Sequence, residues 1–222
     1  MAAKKTPILP VTGNPEADEL LVTDPLALLT GMLLDQQVPM EWAFSSPLRL
    51  RERLGGTLDA AAIAAMPLEA LEVLFKGPPA LHRYPASMAK RTQQLCQHLV
   101  DEYGGRAEAV WAGVDTGAEL FARLRALPGF GGEKAKIFLA LLAKRFGIAP
   151  TGWEAPAVPF SDSLKRSVAD VDSQESLLDV RSFKQRKKAE GRAKDDGPLP
   201  KPKAPRVPKG LLTGEPDPEP GP

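Results

Sequence analysis

The feature that most constrains this chain is a short glycine-rich turn between two stretches of helical apolar periodicity. The turn reads Leu-Pro-Gly-Phe-Gly-Gly over residues 127–132. Apolar residues recur at intervals of three and four on both sides of it, over residues 120–127 and 135–143. This pattern predicts two helices joined by a hairpin, with the free amide groups of the second helix pointing outward. Free amides at the positive end of a helix favour an anion such as phosphate.

The remainder of the chain, up to about residue 190, also predicts helices. Asp24 and Pro25 open a dense apolar run that indicates a buried central helix. Further helices are predicted to begin near residues 46, 57, 66, 86, 107 and 116. No stretch of period-two alternation is long enough for a strand. The sequence therefore predicts an all-α fold.

Composition limits the chemistry that one chain can carry. Cys96 is the only cysteine, which excludes a disulfide framework and a four-cysteine zinc or iron–sulfur site within the chain. His82 and His98 are too few for a histidine-rich metal site. There is no secretory signal and no apolar run long enough to span a bilayer, so we expect a cytoplasmic protein without membrane association.

Positive charge is concentrated near the C-terminal end. Basic residues cluster between residues 181 and 209, and prolines recur from residue 198 onward. Such a segment buries little apolar area, so we expect a disordered basic tail over residues 191–222. A tail of this kind is either an electrostatic anchor for DNA or solvated charge without a ligand.

The hairpin resembles that of the helix-hairpin-helix DNA glycosylases, the HhH-GPD superfamily that includes endonuclease III and bacterial 3-methyladenine DNA glycosylase. The similar residues are the Leu-Pro-Gly-Phe-Gly of the turn followed by Ala135, and the resemblance extends over residues 25–150. It implies a two-lobed helical fold, no cofactor in a chain that lacks the cluster cysteines, and a structural Na or K ion on the backbone of residues 127–132. It also implies DNA contacts, which position the protein without reading bases, from Pro128, Gly129, Phe130, Gly131, Gly132 and Lys134.

A second resemblance lies in two amides that follow the first apolar helix. Gln36 and Gln37 are similar to the Gln-Gln-Val/Ile pattern of 3-methyladenine glycosylases. By resemblance to endonuclease III, Gln37 would enter the DNA stack beside an extruded base. Extrusion costs a few kcal/mol, and an amide can fill the gap that the base leaves. From the residues alone, a capping or interhelical role for both amides stays open.

The resemblance weakens at the residues that would carry the chemistry. Bifunctional relatives have a nucleophilic lysine where this chain has Glu133, and Lys134 is turned about 100° from that place, so AP lyase activity is disfavoured. Relatives also place a Val-Asp pair, followed by a helix, after the hairpin helix, and we expect no such pair in this chain. The alternative carboxylates are Glu154, aligned through the Phe-Gly after the hairpin helix, and Asp162. A further alternative is that neither is catalytic.

These observations give two main hypotheses for function. The first is a monofunctional base-excision repair glycosylase that hydrolyses the N-glycosidic bond of an alkylated or deaminated base in double-stranded DNA. The alternative is a non-catalytic DNA-binding protein that has lost the catalytic aspartate, and a more distant one is a helical protein-interaction module. We expect a monomer, in the cytoplasm or on the nucleoid if bacterial. The predicted domains are an N-terminal extension over residues 1–23, an HhH-GPD-like domain over 24–190 with its hairpin at 127–135, and the tail over 191–222.

Overall fold

Helices and short loops make up the described part of the chain. The computed structural model describes residues 7–195, with side chains up to residue 191. Within these residues there are ten α-helices and two 3-10 helices, and the only β-type pairing is an isolated bridge between Thr116 and Thr151. The predicted all-α fold is confirmed.

The α-helices begin and end at the following residues. They are α1 (Pro15–Thr23), α2 (Pro25–Leu34), α3 (Met40–Arg53), α4 (Ala60–Ala65), α5 (Leu68–Lys76), α6 (Pro85–Tyr103), α7 (Gly117–Ala126), α8 (Gly132–Phe146), α9 (Glu154–Ala157) and α10 (Gln174–Asp195). The 3-10 helices are Ala107–Val110 and Val168–Asp170. Helices α1, α2 and α4 begin with side chains that accept backbone N–H groups, which are those of Asn14, Asp24 and Asp59.

Helix α2 is the buried centre of the fold. All its residues from Leu26 to Leu34 are buried, which explains an apolar sequence on every side of the helix. Helices α1 and α3 pack against it. Gly31 lets α3 approach closely, because a Cβ added there would lie 2.8 Å from Cδ1 of Phe44. The apolar run therefore forms the central helix that it predicts.

The segment before α2 contributes to the same core. Its buried side chains are Leu9, Val11, Ala17, Leu20 and Leu21. The Asp18 carboxylate fixes the start of this segment by accepting the N–H groups of Val11 and Thr12 at 3.1 and 2.9 Å. Residues 9–23, which the sequence assigns to an extension, thus pack as part of the helical domain. Their apolar pattern is too short to predict this packing.

The described chain falls into two units. The first extends to Gln185 and the second begins at Arg186, within α10. In the second unit the structure describes the end of α10, where Lys187 pairs with Glu190 at 2.8 Å. The helix continues to Asp195, and the rest of the predicted tail lies outside the described residues. No helix in residues 7–195 is long and apolar enough to cross a membrane.

Gly117 allows a close contact between α7 and the loop that precedes α9. A Cβ added at Gly117 would lie 2.3 Å from the Cα of Trp153, so the backbone would have to move. We expect Gly117→Ala to lower the free energy of unfolding by about 2 kcal/mol, measured by urea denaturation. Gly132→Ala is the matched control, because a Cβ added there meets nothing within 4 Å. Equal losses in both variants would contradict the packing argument.

Candidate nucleic-acid interface

The turn between α7 and α8 presents backbone groups at the surface. The carbonyl oxygen of Leu127 accepts the N–H of Phe130 at 3.0 Å and closes the turn. Gly129 has a φ of +82°, a conformation that glycine adopts without strain. Gly131 is the N-cap of α8, and no side chain caps this helix. The N–H groups of the first turn of α8 are therefore available to an anion.

The hairpin packs directly against the C-terminal end of α2. A Cβ added at Gly129 would lie 2.4 Å from Cδ1 of Leu33, so the absence of a side chain permits this contact. From the first turn of α8, the Nζ of Lys134 donates to the carbonyl oxygens of Met32 at 2.6 Å and Leu33 at 2.8 Å. Carbonyls at the end of a helix attract an ammonium group. The hairpin and the end of α2 are thus joined by packing and by hydrogen bonds.

Lys134 points into the protein and not toward solvent. Its Nζ lies 5.9 Å from the centroid of the Phe130 ring. Burial lowers the pKa of Lys134 to about 8, although the charge of Asp35 acts in the opposite direction. The sequence predicted Lys134 as a DNA contact. A phosphate contact by this side chain does not fit the structure, because the end of α2 occupies its ammonium group.

The hairpin residues divide into exposed and buried positions. Gly129 and Gly131 are exposed, and Pro128 and Gly132 are half-buried. Phe130 is only 4% exposed, and its ring meets that of Phe138 edge-on at 5.8 Å between centroids. Phe130, also predicted as a DNA contact, therefore supports the turn from inside, and only its backbone can reach a ligand.

The loop after α2 carries the two predicted glutamines next to the hairpin. The Nε2 of Gln36 donates to the carbonyl of Leu33 at 2.7 Å, and its Oε1 accepts from Arg91 at 2.7 Å. Gln36 is thus a capping amide, as the alternative interpretation allows. Gln37 is exposed, has a φ of +57°, and its side chain forms no hydrogen bond with any described residue. Of the pair, Gln37 is the one that is free to enter DNA.

His82 holds this loop through the backbone of Gln36. The buried imidazole accepts the N–H of Tyr84 at Nδ1, at 3.0 Å, and its Nε2 lies 2.9 Å from the carbonyl oxygen of Gln36. Because Nδ1 accepts a hydrogen bond, the proton of the neutral imidazole is on Nε2, which donates to the carbonyl oxygen of Gln36. Burial lowers the pKa of His82, in agreement with a neutral ring. The sequence predicts no role for His82, because no local pattern indicates a contact with a residue so distant in the chain.

Exposed cations and one aromatic ring lie beside the loop. The guanidinium of Arg83 lies 5.4 Å from the centroid of the Tyr84 ring, which is 44% exposed. Lys90 and Arg91 are exposed on α6, and Arg91 contacts Gln36. Cations next to an exposed ring are suited to a polyanion that carries stacking bases.

Asp162, one of the two predicted catalytic carboxylates, lies at the far end of α8. It is exposed and paired with Arg166, and its backbone carbonyl accepts from Lys144 at 2.6 Å. Lys144 is in the last turn of α8, about 15 Å along the helix from Lys134. The structure therefore does not bring Asp162 to the hairpin.

Glu154, the other predicted carboxylate, is exposed at the start of α9. The adjacent Trp153 packs against Gly117, which begins α7. The hairpin follows the opposite end of α7, about 14 Å away along the helix. Glu154 is thus also remote from the hairpin.

A Val-Asp pair does occur, but farther along the chain than the resemblance implies. Val171 and Asp172 precede α10, and Asp172 pairs with Arg145 at 3.1 Å and with Lys165 at 3.5 Å. Burial acts against it, but a hydrogen bond with Ser176 and these two cations lower the pKa of Asp172. The expectation that no such pair follows the hairpin is therefore wrong, because the spacing of relatives does not hold in this chain. Its contact with Arg145 places Asp172, like Asp162, at the C-terminal end of α8.

Comparison with known protein families identifies one that fits this geometry. The family model described as HhH-GPD superfamily base excision DNA repair protein matches residues 30–194. The matched span includes the end of α2, the hairpin and α8. No curated protein matches the chain.

The lowered pKa of Lys134 makes the stability depend on pH. Lysine in the unfolded chain keeps the ordinary value of 10.5, whereas in the folded protein the value is about 8. Between these values the unfolded chain binds more protons, so the free energy of unfolding rises with pH. Over that range we expect the free energy of unfolding of the parent to rise by about 2 kcal/mol relative to that of Lys134→Met.

Urea denaturation at several pH values between 8 and 10.5 measures this difference. Lys136→Met is the matched control, because Lys136 lies on the same helix and forms no hydrogen bond with α2. Parallel pH profiles of the parent and Lys134→Met would contradict the buried position of this amine.

Proposed function

We propose that this chain, which belongs to the HhH-GPD superfamily of base excision DNA repair proteins, is a monofunctional DNA glycosylase. It hydrolyses the N-glycosidic bond of a damaged base in double-stranded DNA. The observation that carries the proposal is the contact of the hairpin with the end of α2, through Gly129 against Leu33. This contact supports a surface on which a phosphate-binding backbone and the exposed Gln37 lie side by side.

The hairpin supplies the sequence-independent part of binding. The first-turn N–H groups of α8 approach a phosphate, and the exposed Gly129 and Gly131 leave room for it. The carbonyl oxygens of Pro128, Gly129 and Phe130 accept no hydrogen bond from the described residues. They are suitable ligands for the Na or K ion that the resemblance implies. A bound monovalent ion would add positive charge between the turn and the phosphate.

The loop after α2 supplies the part that acts on the base. Gln37 fills the space that an extruded base leaves, and the cost of unstacking is a few kcal/mol. Gln36 is held by Arg91 and by the carbonyl of Leu33, so the loop behind Gln37 is fixed. The Gln-Gln pair favours an alkylated base over a deaminated one as substrate.

Hydrolysis without a covalent enzyme intermediate is supported by the residues at the start of α8. Glu133 stands where bifunctional relatives have a lysine. The amine of Lys134 is engaged by two carbonyl oxygens of α2. One chain contributes both the hairpin and the loop after α2, which supports binding of duplex DNA by a monomer. In a bacterial cell this protein would be associated with the nucleoid.

A non-catalytic DNA-binding protein is the second proposal, and a specific observation favours it. The carboxylates that sequence analysis assigns to catalysis, Glu154 and Asp162, lie near the ends of α7 and α8 that are remote from the hairpin. A protein that kept the hairpin but had no acidic group near the sugar would bind duplex DNA without releasing a base.

An abasic-site assay distinguishes the two proposals. The protein is incubated with duplexes that each carry one alkylated or deaminated base, and the products are examined before and after alkali. We expect strand cleavage after alkali for at least one alkylated duplex, and none before alkali. Cleavage before alkali would contradict hydrolysis alone. The absence of product from every duplex, with duplex binding intact, would favour the binding protein.

Gly131→Glu tests the hairpin as the phosphate contact. A Cβ at this position meets nothing within 4 Å, so the fold tolerates the substitution while a carboxylate faces the phosphate. We expect duplex affinity to fall at least about tenfold, with a weaker dependence on salt, by fluorescence anisotropy. Ala118→Glu adds the same charge at an exposed position at the other end of α7. Equal affinities of Gly131→Glu and Ala118→Glu for the duplex would contradict a phosphate contact at the hairpin.

A further inference from the structure

Asp35 stands two residues before Gln37, and its charge acts on Lys134 of the hairpin helix α8. It is the C-cap residue of α2, and it follows the turn whose Leu33 packs on Gly129. Gln36 and Gln37 come directly after it. The charge of Asp35 acts on the buried amine of Lys134, whose pKa it raises. Asp35 is therefore an acidic residue at the junction of the two loops proposed to contact DNA.

The Asp35 carboxylate stands at an unfavourable end of its helix, where nearby ammonium groups balance its charge and hydrogen-bond donors do not. The C-terminal end of a helix carries partial negative charge, which disfavours an acidic side chain there. The Asp35 side chain is only 14% exposed, and its one ion pair with a described residue is at 3.9 Å from the Nζ of Lys184. It accepts no hydrogen bond from any described residue. The charges of Lys134 and Lys184 balance that of Asp35 without a short contact, so the carboxylate oxygens keep their capacity to accept hydrogen bonds.

Asp170 shows what a carboxylate used for structure looks like in this chain. It is 3% exposed, and it accepts from Lys144 at 2.7 Å and from the N–H groups of Arg166 and Ser167 at 3.1 and 3.0 Å. Its charge is therefore compensated by direct contacts. Asp35 lacks such contacts, so its carboxylate oxygens are available to a ligand.

We propose that Asp35 is the catalytic carboxylate of the glycosylase reaction, a proposal that rests on the function proposed above. The C1′–N bond of a cationic alkylated nucleotide breaks, and its electron pair leaves with the base, which becomes neutral. The positive charge then lies on C1′ and O4′ of the sugar, where the carboxylate of Asp35 stabilises it. Water adds to C1′ and gives its proton to Asp35, from which the proton passes to solvent.

Asp35→Asn is the variant that tests this role, because it keeps the shape of the side chain and removes its charge. We expect the single-turnover rate of base release to fall about 100-fold or more. Duplex affinity should change little. The midpoint of thermal unfolding should fall only slightly, because the variant loses the charge that acts on Lys134 but breaks no hydrogen bond with a described residue. Asp179→Asn, at an exposed position on α10, is the matched control and should keep the parent rate.

Glu154→Gln, Asp162→Asn and Asp172→Asn complete the series. A large loss of rate in one of these variants, with the parent rate in Asp35→Asn, would overturn the proposal while leaving a glycosylase. Unfolding of Asp35→Asn at the assay temperature would also overturn it, because the carboxylate would then be structural.

A binding measurement tests Asp35 without turnover. Two duplexes are compared, one with a cationic pyrrolidine and one with a neutral tetrahydrofuran in place of a deoxyribose. We expect the parent to bind the pyrrolidine duplex at least about tenfold more tightly, and Asp35→Asn to lose this preference. A preference that persists in Asp35→Asn would contradict the proposal. If the parent releases no base from any duplex, the proposed function fails, and this comparison still decides whether Asp35 faces a cationic sugar.

Discussion

The proposed site depends on the ammonium group of Lys134 and the last carbonyls of α2. This interaction joins residues that are 101 and 102 positions apart in the chain. It satisfies carbonyls that the end of a helix leaves without partners. Because α2 is buried along its length, its C-terminal end is fixed within the core. The hairpin and the loop after α2 consequently keep one relative position, which the proposed phosphate and nucleotide contacts require.

The residues of the proposed site form two groups. One group is held by contacts with backbone atoms, and the other has polar atoms that are available to a ligand. Lys134, Gln36 and His82 are occupied by contacts with backbone groups. Gln37 and Asp35 have exposed or weakly paired polar atoms. A surface of this kind suits the proposed function, in which the rigid parts contact the DNA backbone and a few side chains contact the extruded nucleotide. This division fits a family of base excision repair proteins.

The sequence predicted what depends on local signals. The glycines of the hairpin, the periodicity of its flanking helices and the apolar run of α2 specify these elements without reference to the rest of the chain. The inward direction of Lys134 and the burial of Phe130 could not be predicted, because both depend on contacts with residues distant in sequence. The spacing of relatives indicates carboxylates after the hairpin, and no local signal indicates Asp35, which precedes the hairpin by more than ninety residues and is proposed from its contacts alone.

Hydrogen–deuterium exchange with and without duplex DNA tests the central claim most directly, namely that the hairpin and the loop after α2 form one DNA-binding surface. We predict that a duplex containing an abasic-site analogue protects the amides of residues 35–38 and 129–134 together, and leaves residues 162–172 unchanged. Protection of only one of the two loops, or protection centred on residues 162–172, would contradict the account.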